Sequence, residues 1–186
     1  MDGQRTFALE DDLVRLRPLE PGDAERVFVA CQDPLIARFI PIPQPYTLHD
    51  ATAFVAQRLP GHDPGVETAF AVTDRDSCEF LGVIARHVPR GHVVSFGYWL
   101  APWGRRRGAM TAALRLVANW TLATTDLLRL ELWSDASNDA SGGVALRAGF
   151  EREGLRRAWA IDRGNRVVDA VFYVLIRDDV RAERAG

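Results

Sequence analysis

A run of β-formers, Val93–Leu100 (VVSFGYWL), passes through Pro102, Gly104 and three consecutive arginines into Gly108, and an amphipathic helix follows at once. In that helix Met110, Ala113, Leu114, Val117 and Trp120 fall on one stripe, with Arg115 and Asn119 elsewhere on the wheel. A strand that feeds a helix through a glycine turn aims the helix's first amides at one spot. Those N–H groups have no intrahelical acceptor, and they carry the positive end of the helix dipole. With Arg105, Arg106 and Arg107 beside them, they make an expected anion site built of main chain. A pyrophosphate there would be held by amides of residues 106–110, with the arginines adding charge-assisted bonds. The competing reading is a solvated basic run that keeps a strand edge from aggregating. Neither a GxxxxGK[ST] loop nor a strand-linked GxGxxG occurs, so nucleotide hydrolysis and dinucleotide binding are not supported.

At 186 residues, 47% of them hydrophobic and 26% charged, the chain suits one soluble domain with a core of its own. A formal charge of −2 gives no global field toward nucleic acid or an anionic membrane, and neither is an expected partner. No apolar run spans a bilayer, and MDGQRTFALEDD at the start is acidic with no signal-peptide core, so a cytoplasmic protein is expected. Cys31 and Cys78 lie far apart without metal-type spacing and read as buried thiols of a reducing compartment.

Leu13–Arg17 alternates apolar and basic residues as a first strand, which Pro18 ends. Pro21-Gly22-Asp23 opens a helix capped by Asp23, with Val27, Phe28 and Cys31 inward, and Asp33–Phe39 reads as a second. Prolines make Pro41–Tyr46 irregular, and Thr47 caps a third helix through Gln57. Thr68–Thr73, Phe80–Val88 and Val93–Leu100 are separated by Asp74–Ser77 and Pro89-Arg90-Gly91, the pattern of an antiparallel meander. A strand at Leu128–Trp133 follows, then a helix from Asn138 or Asp139 to Arg147 with Gly149 as a left-handed stop. Glu151–Ile161 and Val167–Ile176 form a hairpin around Asp162-Arg163-Gly164-Asn165. This order predicts one α+β domain over residues 1–186, with about seven strands in a mixed, mostly antiparallel sheet flanked by helices. Residues 1–12 are expected to be loosely ordered and 177–186 to form a tail.

A second constellation lies in Ser134–Phe150. Gly142 and Gly143 occupy the first turn of a helix, where each costs about 1 kcal/mol relative to alanine. Glycine stands there when something must approach the backbone. Asn138 and Ser141 are neutral groups able to bond an amide or thioester oxygen, although a cap and a first-turn residue need no such role. Ser141 is outside any GxSxG, and His49, His62, His87 and His92 have no evident partner, which argues against a Ser-His-Asp nucleophile and leaves the histidines as surface residues. No ligand cluster supports a metal.

Together these stretches resemble the GNAT superfamily of N-acetyltransferases, in particular the branch acting on ribosomal-protein N-termini and its small-molecule relatives. The resemblance rests on RLRPLEPGDAERVF (Arg15–Phe28), GYWLAPWGRRRGAMTAAL, LRLEL followed by Asn138 and Ser141, and AGFEREGLRR (Ala148–Arg157), in the right order over nearly the whole chain. It implies a GNAT fold with a splayed strand pair and acetyl-CoA as co-substrate. The family's [RQ]xxGx[GA] loop for the pyrophosphate is matched by Arg105 and Gly108, with Arg106, Arg107, Ala109 and Met110 completing it. Trp99 and Leu100 would offer main chain to pantetheine, Asn138 would touch the cofactor arm, and Ser141 would protonate the departing thiolate. Tyr46, Trp103 and Trp159 are candidates to line the acceptor side, or plain packing.

Three positions depart from the family pattern. Met110 stands where the motif has glycine or alanine, so its N–H serves phosphate only if its side chain points away. Ala145 falls where many members carry a general-acid tyrosine, which leaves Ser141 or a water for that task. Ser95 falls where relatives often carry a glutamate, and the base passes to Glu131, Asp135 or a relayed water, although strand carboxylates often just pair with arginine. The implied reaction is direct acetyl transfer to a primary amine, a protein α-amine or a small amino compound, in a ternary complex without an acyl-enzyme. The rivals are a weakly catalytic acyl-CoA-binding or regulatory module, and a GNAT that uses a longer acyl-CoA or an aminoacyl-tRNA. A homodimer is left open.

Overall fold

In the computed structural model, which describes residues 8–59 and 67–177, every β-rich stretch joins one eight-stranded sheet. Its strands are β1 (Leu9–Glu10), β2 (Val14–Pro18), β3 (Thr68–Asp74), β4 (Phe80–Arg86), β5 (Val93–Leu100), β6 (Arg129–Asp135), β7 (Glu151–Ile161) and β8 (Val167–Ile176). Their spatial order is β1-β2-β3-β4-β5-β6-β8-β7, antiparallel except between β5 and β6. The helices are α1 (Asp23–Ala30), α2 (Pro34–Phe39), α3 (Leu48–Ala56), α4 (Ala109–Thr124) and α5 (Asp139–Arg147). The expected mixed α+β sheet is present, with β1 as the addition to the strands read from sequence. Two residues are too short to show alternation, yet Leu9 and Glu10 pair with Leu16 and Arg15 inside the stretch expected to be loose. Residues 1–7 and 178–186, and His62, lie outside the described residues. No helix among the described residues is long and apolar enough to cross a membrane.

Alternation along the strands sends side chains to two cores. Val14, Phe70, Val94, Leu130 and Leu132 pack under α4 with Met110, Leu114 and Val117. On the other face Ala71, Val83 and Ala85 pack against α1–α3 through Val27, Ile36 and Val55. Further along that second face Trp133 and Trp159 stay 46% and 44% exposed, so the β6–β8–β7 part is open.

Local chemistry sets the helix starts. Asp33 caps α2 by accepting from the Leu35 and Ile36 amides, and Thr47 and Asp50 form a capping box on α3. Asp23 is not the cap of α1. It is the first helical residue, and both its oxygens lie 2.8 Å from Arg17 while Oδ2 accepts from the Glu20 amide. Cys31 is buried as expected, but Cys78 is exposed in the β3–β4 turn at φ +59°. There Asp74 takes the Ser77 amide and hydroxyl, and that turn geometry outweighs the thiol's preference for the interior.

The parallel contact is short. β5 and β6 pair only from Val93 to Ser95 against Arg129 to Glu131. Beyond that point β5 stays with β4 as far as Leu100, and β6 stays with β8 as far as Asp135. The two strands therefore splay. Leu130, at 0% exposure, pins the closed end of the gap from below. Leu130→Ala is expected to cost about 2–5 kcal/mol, read as a lower urea midpoint with unchanged slope.

Candidate active site

Past β5 the chain makes a 3-10 turn, Pro102–Gly104, which Trp103 ties to β4 by donating Nε1–H to the Phe80 carbonyl at 2.8 Å. Two left-handed residues follow, Arg106 at φ +62° and Gly108 at φ +79°, a turn of the kind that directs successive amides to one side. The first α4 ladder bond beyond the cap runs from the Ala112 amide to the Gly108 carbonyl at 3.0 Å. The amides of residues 106–111 donate to no acceptor outside the helix among the described residues. A Cβ on Gly108 would meet only Leu13 Cδ1, at 3.8 Å, so the space in front is open. Ala109 and Met110 are 2% exposed and pack in the α4 core, so the Met110 side chain turns inward.

Arg105 does something other than expected. Its Nη2 lies 2.6 Å from Asp33 Oδ1 and its Nη1 3.3 Å from Oδ2, while Nη2 also donates to the Leu100 carbonyl at 3.3 Å. It is a strut between the loop and the start of α2, not a free phosphate arm. Burial works against the charge on Asp33, but Arg105 and the α2 amides outweigh it and hold the carboxyl below its usual range. Arg106 and Arg107 are exposed.

The Ser95 carbonyl accepts from the His87 amide at 2.9 Å, and the Ala101 amide donates to Leu81 at 2.8 Å. Alternation then directs the main chain of Phe96, Tyr98 and Leu100 into the gap toward β6. Trp99 does not share that direction. Its carbonyl leans over Gly82, where a Cβ would overlap it, and its ring packs against Phe80 at 6.0 Å. Of the two residues expected to meet pantetheine, Leu100 therefore faces the gap, and Tyr98 joins it.

Across the gap Asn138 caps α5, with Oδ1 accepting from the Ser141 amide at 3.2 Å and Nδ2 unpartnered among the described residues. The Ser141 hydroxyl donates to Tyr98 Oη at 3.2 Å, and Tyr98 donates to the Ser141 carbonyl at 3.1 Å. Burial pushes the Tyr98 phenol up to about 12, so it stays protonated. Tyr98 was not among the residues singled out from sequence. Its signal was available: it shares the α4-facing alternation with Val94 and Phe96, opposite an α5 that has no tyrosine at Ala145. The approach expected at the paired glycines is real but internal, because a Cβ on Gly142 would overlap the Tyr173 hydroxyl and one on Gly143 would press on Arg147.

The remaining candidates divide. Glu131 accepts from Arg129 Nε at 3.0 Å, and Arg129 also grips Glu153 at 2.7 and 2.6 Å, so Glu131 is a paired strand carboxylate at the closed end of the gap. Asp135 is taken up by the Ser137 amide and hydroxyl. Tyr46, expected on the acceptor side, is 6% exposed in the α1–α3 core beside Cys31, where burial raises both groups, the thiol to about 12. Trp103 is fixed to β4. Trp159 stays on the open face, edge-on to Phe172 at 5.1 Å with Arg156 over its ring. His87, expected at the surface without a partner, has one after all, since its Nδ1 lies 2.7 Å from Glu67. No group that could hold a metal occurs among the described residues.

Residues 14–151 match the family described as an acetyltransferase (GNAT) domain. The chain is 22% identical over 158 residues to the uncharacterized N-acetyltransferase YoaA of Bacillus subtilis (strain 168), covering 84% of this chain and 89% of that protein. Its fold is similar to that of RimL, a ribosomal L7/L12 alpha-N-protein acetyltransferase solved with coenzyme A, at TM-score 0.81 and 19% identity over 92% of this chain and 99% of that one. It is also similar to ribosomal-protein-S5-alanine acetyltransferase from Vibrio fischeri, at TM-score 0.78 and 20% identity over 93% and 98% of the two chains. With a family match that spans most of the sequence, and a splayed strand pair leading into a glycine-turned helix, the chain belongs to the GNAT acetyltransferases.

Proposed function

We propose that this protein transfers acetyl from acetyl-CoA to a primary amine, in the first instance the α-amine of a protein N-terminus, by direct attack in a ternary complex. The observation that carries this reading is the row of amides at 106–111, without a partner among the described residues, at the Gly108 turn into α4. Such a cradle suits a diphosphate, since it offers directional donors and helix-dipole charge without side-chain rotamers to freeze. Bound acetyl-CoA supplies the thioester carbonyl that the amine attacks. The main chain of Tyr98 and Leu100 positions the acyl arm, and an inward amide of β5 meets the developing oxyanion. Asn138 Nδ2 is available to the arm from the other wall. Ser141, hydrogen-bonded to Tyr98, protonates the departing thiolate, and the Tyr98–Ser141 pair serves where many relatives have a tyrosine on α5. Most of the rate gain comes from holding two substrates together. A peptidyl acceptor is supported by the open face carrying Trp133 and Trp159 and by what RimL and the S5-alanine enzyme are named for.

Gly108→Asp sets a carboxylate against the cradle and is expected to abolish coenzyme A binding with the fold intact. Titration calorimetry beside a circular dichroism spectrum checks it, and wild-type affinity would refute the loop assignment. Ser141→Ala is expected to lower the rate at saturating amine by roughly 10- to 1000-fold, about 1.4–4 kcal/mol. An unchanged rate removes Ser141 from the mechanism. Asp33 titrates below the ordinary carboxylate value, so its stabilisation is complete above the unfolded pKa and is lost as pH falls through the lowered folded one. The stability difference between wild type and Asp33→Asn should therefore be constant above about pH 4 and shrink below it, as read from denaturation midpoints at each pH.

A further inference from the structure

We infer that His87, oriented by Glu67, is the general base that takes a proton from the incoming ammonium; this rests on the N-acetyltransferase reading above. Val83 and Ala85 point to the α1–α3 side of β4, and alternation puts His87 on that same face, directly across from Ser95. His87 Nδ1 lies 2.7 Å from Glu67 Oε2, and a carboxylate that close favours the ring proton on Nδ1. Glu67 is itself held by the Arg58 guanidinium, which stacks on Phe54 at 4.1 Å. The bond from His87, with Arg58 adding to it, outweighs burial and keeps the Glu67 carboxyl below its usual range, hence an anion.

With the proton held on Nδ1 by the facing carboxylate, the neutral ring carries its lone pair on Nε2, which has no hydrogen-bond partner among the described residues. That nitrogen lies 3.0 Å from where a Cβ of Gly97 would stand. Gly97 comes just after the last β5–β6 pair, Ser95 with Glu131, where the gap opens. The imidazole thus lies across the strand at the apex of the splay, on the open face and 44% exposed, with solvent to receive its proton. The charged groups around it are Glu67 and Arg58 on the β3 side, and Glu131 with Arg129 beyond Ser95 on the β6 side. Glu131 is paired with Arg129 and Asp135 with Ser137, whereas His87 Nε2 presents a lone pair with no partner among the described residues.

In the transfer, Nε2 takes one proton from the ammonium and passes it to water. The freed nitrogen lone pair forms the C–N bond at the thioester carbonyl carbon. When the oxyanion collapses the C–S bond breaks, the nitrogen loses its second proton, and the thiolate gains one through Ser141. Ammonium and acetyl-CoA become amide, coenzyme A thiol and one released proton.

The test follows thiol release from acetyl-CoA with tetrapeptides beginning in Ser or Ala and a panel of small primary amines. His87→Gln should lower kcat/KM by about 10²- to 10³-fold at neutral pH with coenzyme A affinity unchanged. The deficit should shrink as pH approaches the amine's own pKa, where the free amine is already abundant. Glu67→Gln, a change at a positioning residue, should lower kcat with coenzyme A affinity and the KM for the amine unchanged, a split that a merely structural contact would not give. Added imidazole should restore part of the His87→Ala rate. Wild type that binds coenzyme A yet releases no thiol with any amine overturns the transfer reading and this inference with it. Wild-type turnover matched by His87→Gln overturns the base assignment alone.

Discussion

The structure turns on how little of β5 touches β6. Each strand is satisfied along its outer edge, β5 by β4 and β6 by β8, and they share only the Val93–Ser95 and Arg129–Glu131 stretch. Beyond it, β5 presents main-chain donors and acceptors that the sheet does not use. Unpaired backbone groups withdrawn from water carry a cost of about 1–3 kcal/mol each, so a gap lined with them favours a ligand that can pair them. The gap is braced on both faces. On the α4 side Tyr98 and Ser141 exchange hydrogen bonds across it, and on the open side Arg129 binds Glu131 to Glu153 at its closed end.

Electrostatics at the anion end follow from the same economy. A chain with a formal charge of −2 cannot attract a diphosphate by its overall field. Arg105 does not restore that attraction, because Asp33 neutralises it. Arg106 and Arg107 stand in water, where screening limits what they add. What is left is the fixed set of amides, whose strength comes from direction more than from charge. Arg105 serves that direction by joining the loop to α2 and to the Leu100 carbonyl, so one residue sets both the cradle and the mouth of the gap.

Features governed by neighbours along the chain are legible in the sequence itself. Period-two and period-3.6 patterns mark the strands and helices, Thr47 and Asn138 announce their caps, and Gly108 and Gly149 occupy left-handed positions at 79° and 98°. Met110 is legible as a side chain that has to turn inward. Partnerships between distant residues leave no such trace. Arg105 and Asp33 are 72 positions apart and Tyr98 and Ser141 43, so neither pair can be seen in a local window. The same blindness puts Tyr46 on the acceptor side, because an aromatic after a proline segment looks like surface until α1 and α3 close over it. His87 looks solitary for the same reason, since Glu67 precedes β3 in the chain and meets it only when β3 and β4 pair.

Three glycines around the gap show why its shape is hard to read from residue chemistry. Gly82 leaves room for the Trp99 carbonyl, Gly97 for the His87 imidazole and Gly142 for the Tyr173 hydroxyl. Each is a close approach by a group from another strand or helix. A methyl at 142 has no harmless direction, because the phenol it meets is packed in the α4 core, where Tyr173 is 6% exposed. At Gly97 the obstructing atom is the free end of a half-exposed ring, so an added methyl would swing the imidazole aside and leave the core alone. The two ends of the gap therefore differ in kind. The wall that carries Ser141 is locked into the core, whereas the imidazole at the apex is half-exposed and anchored by its pairing with Glu67.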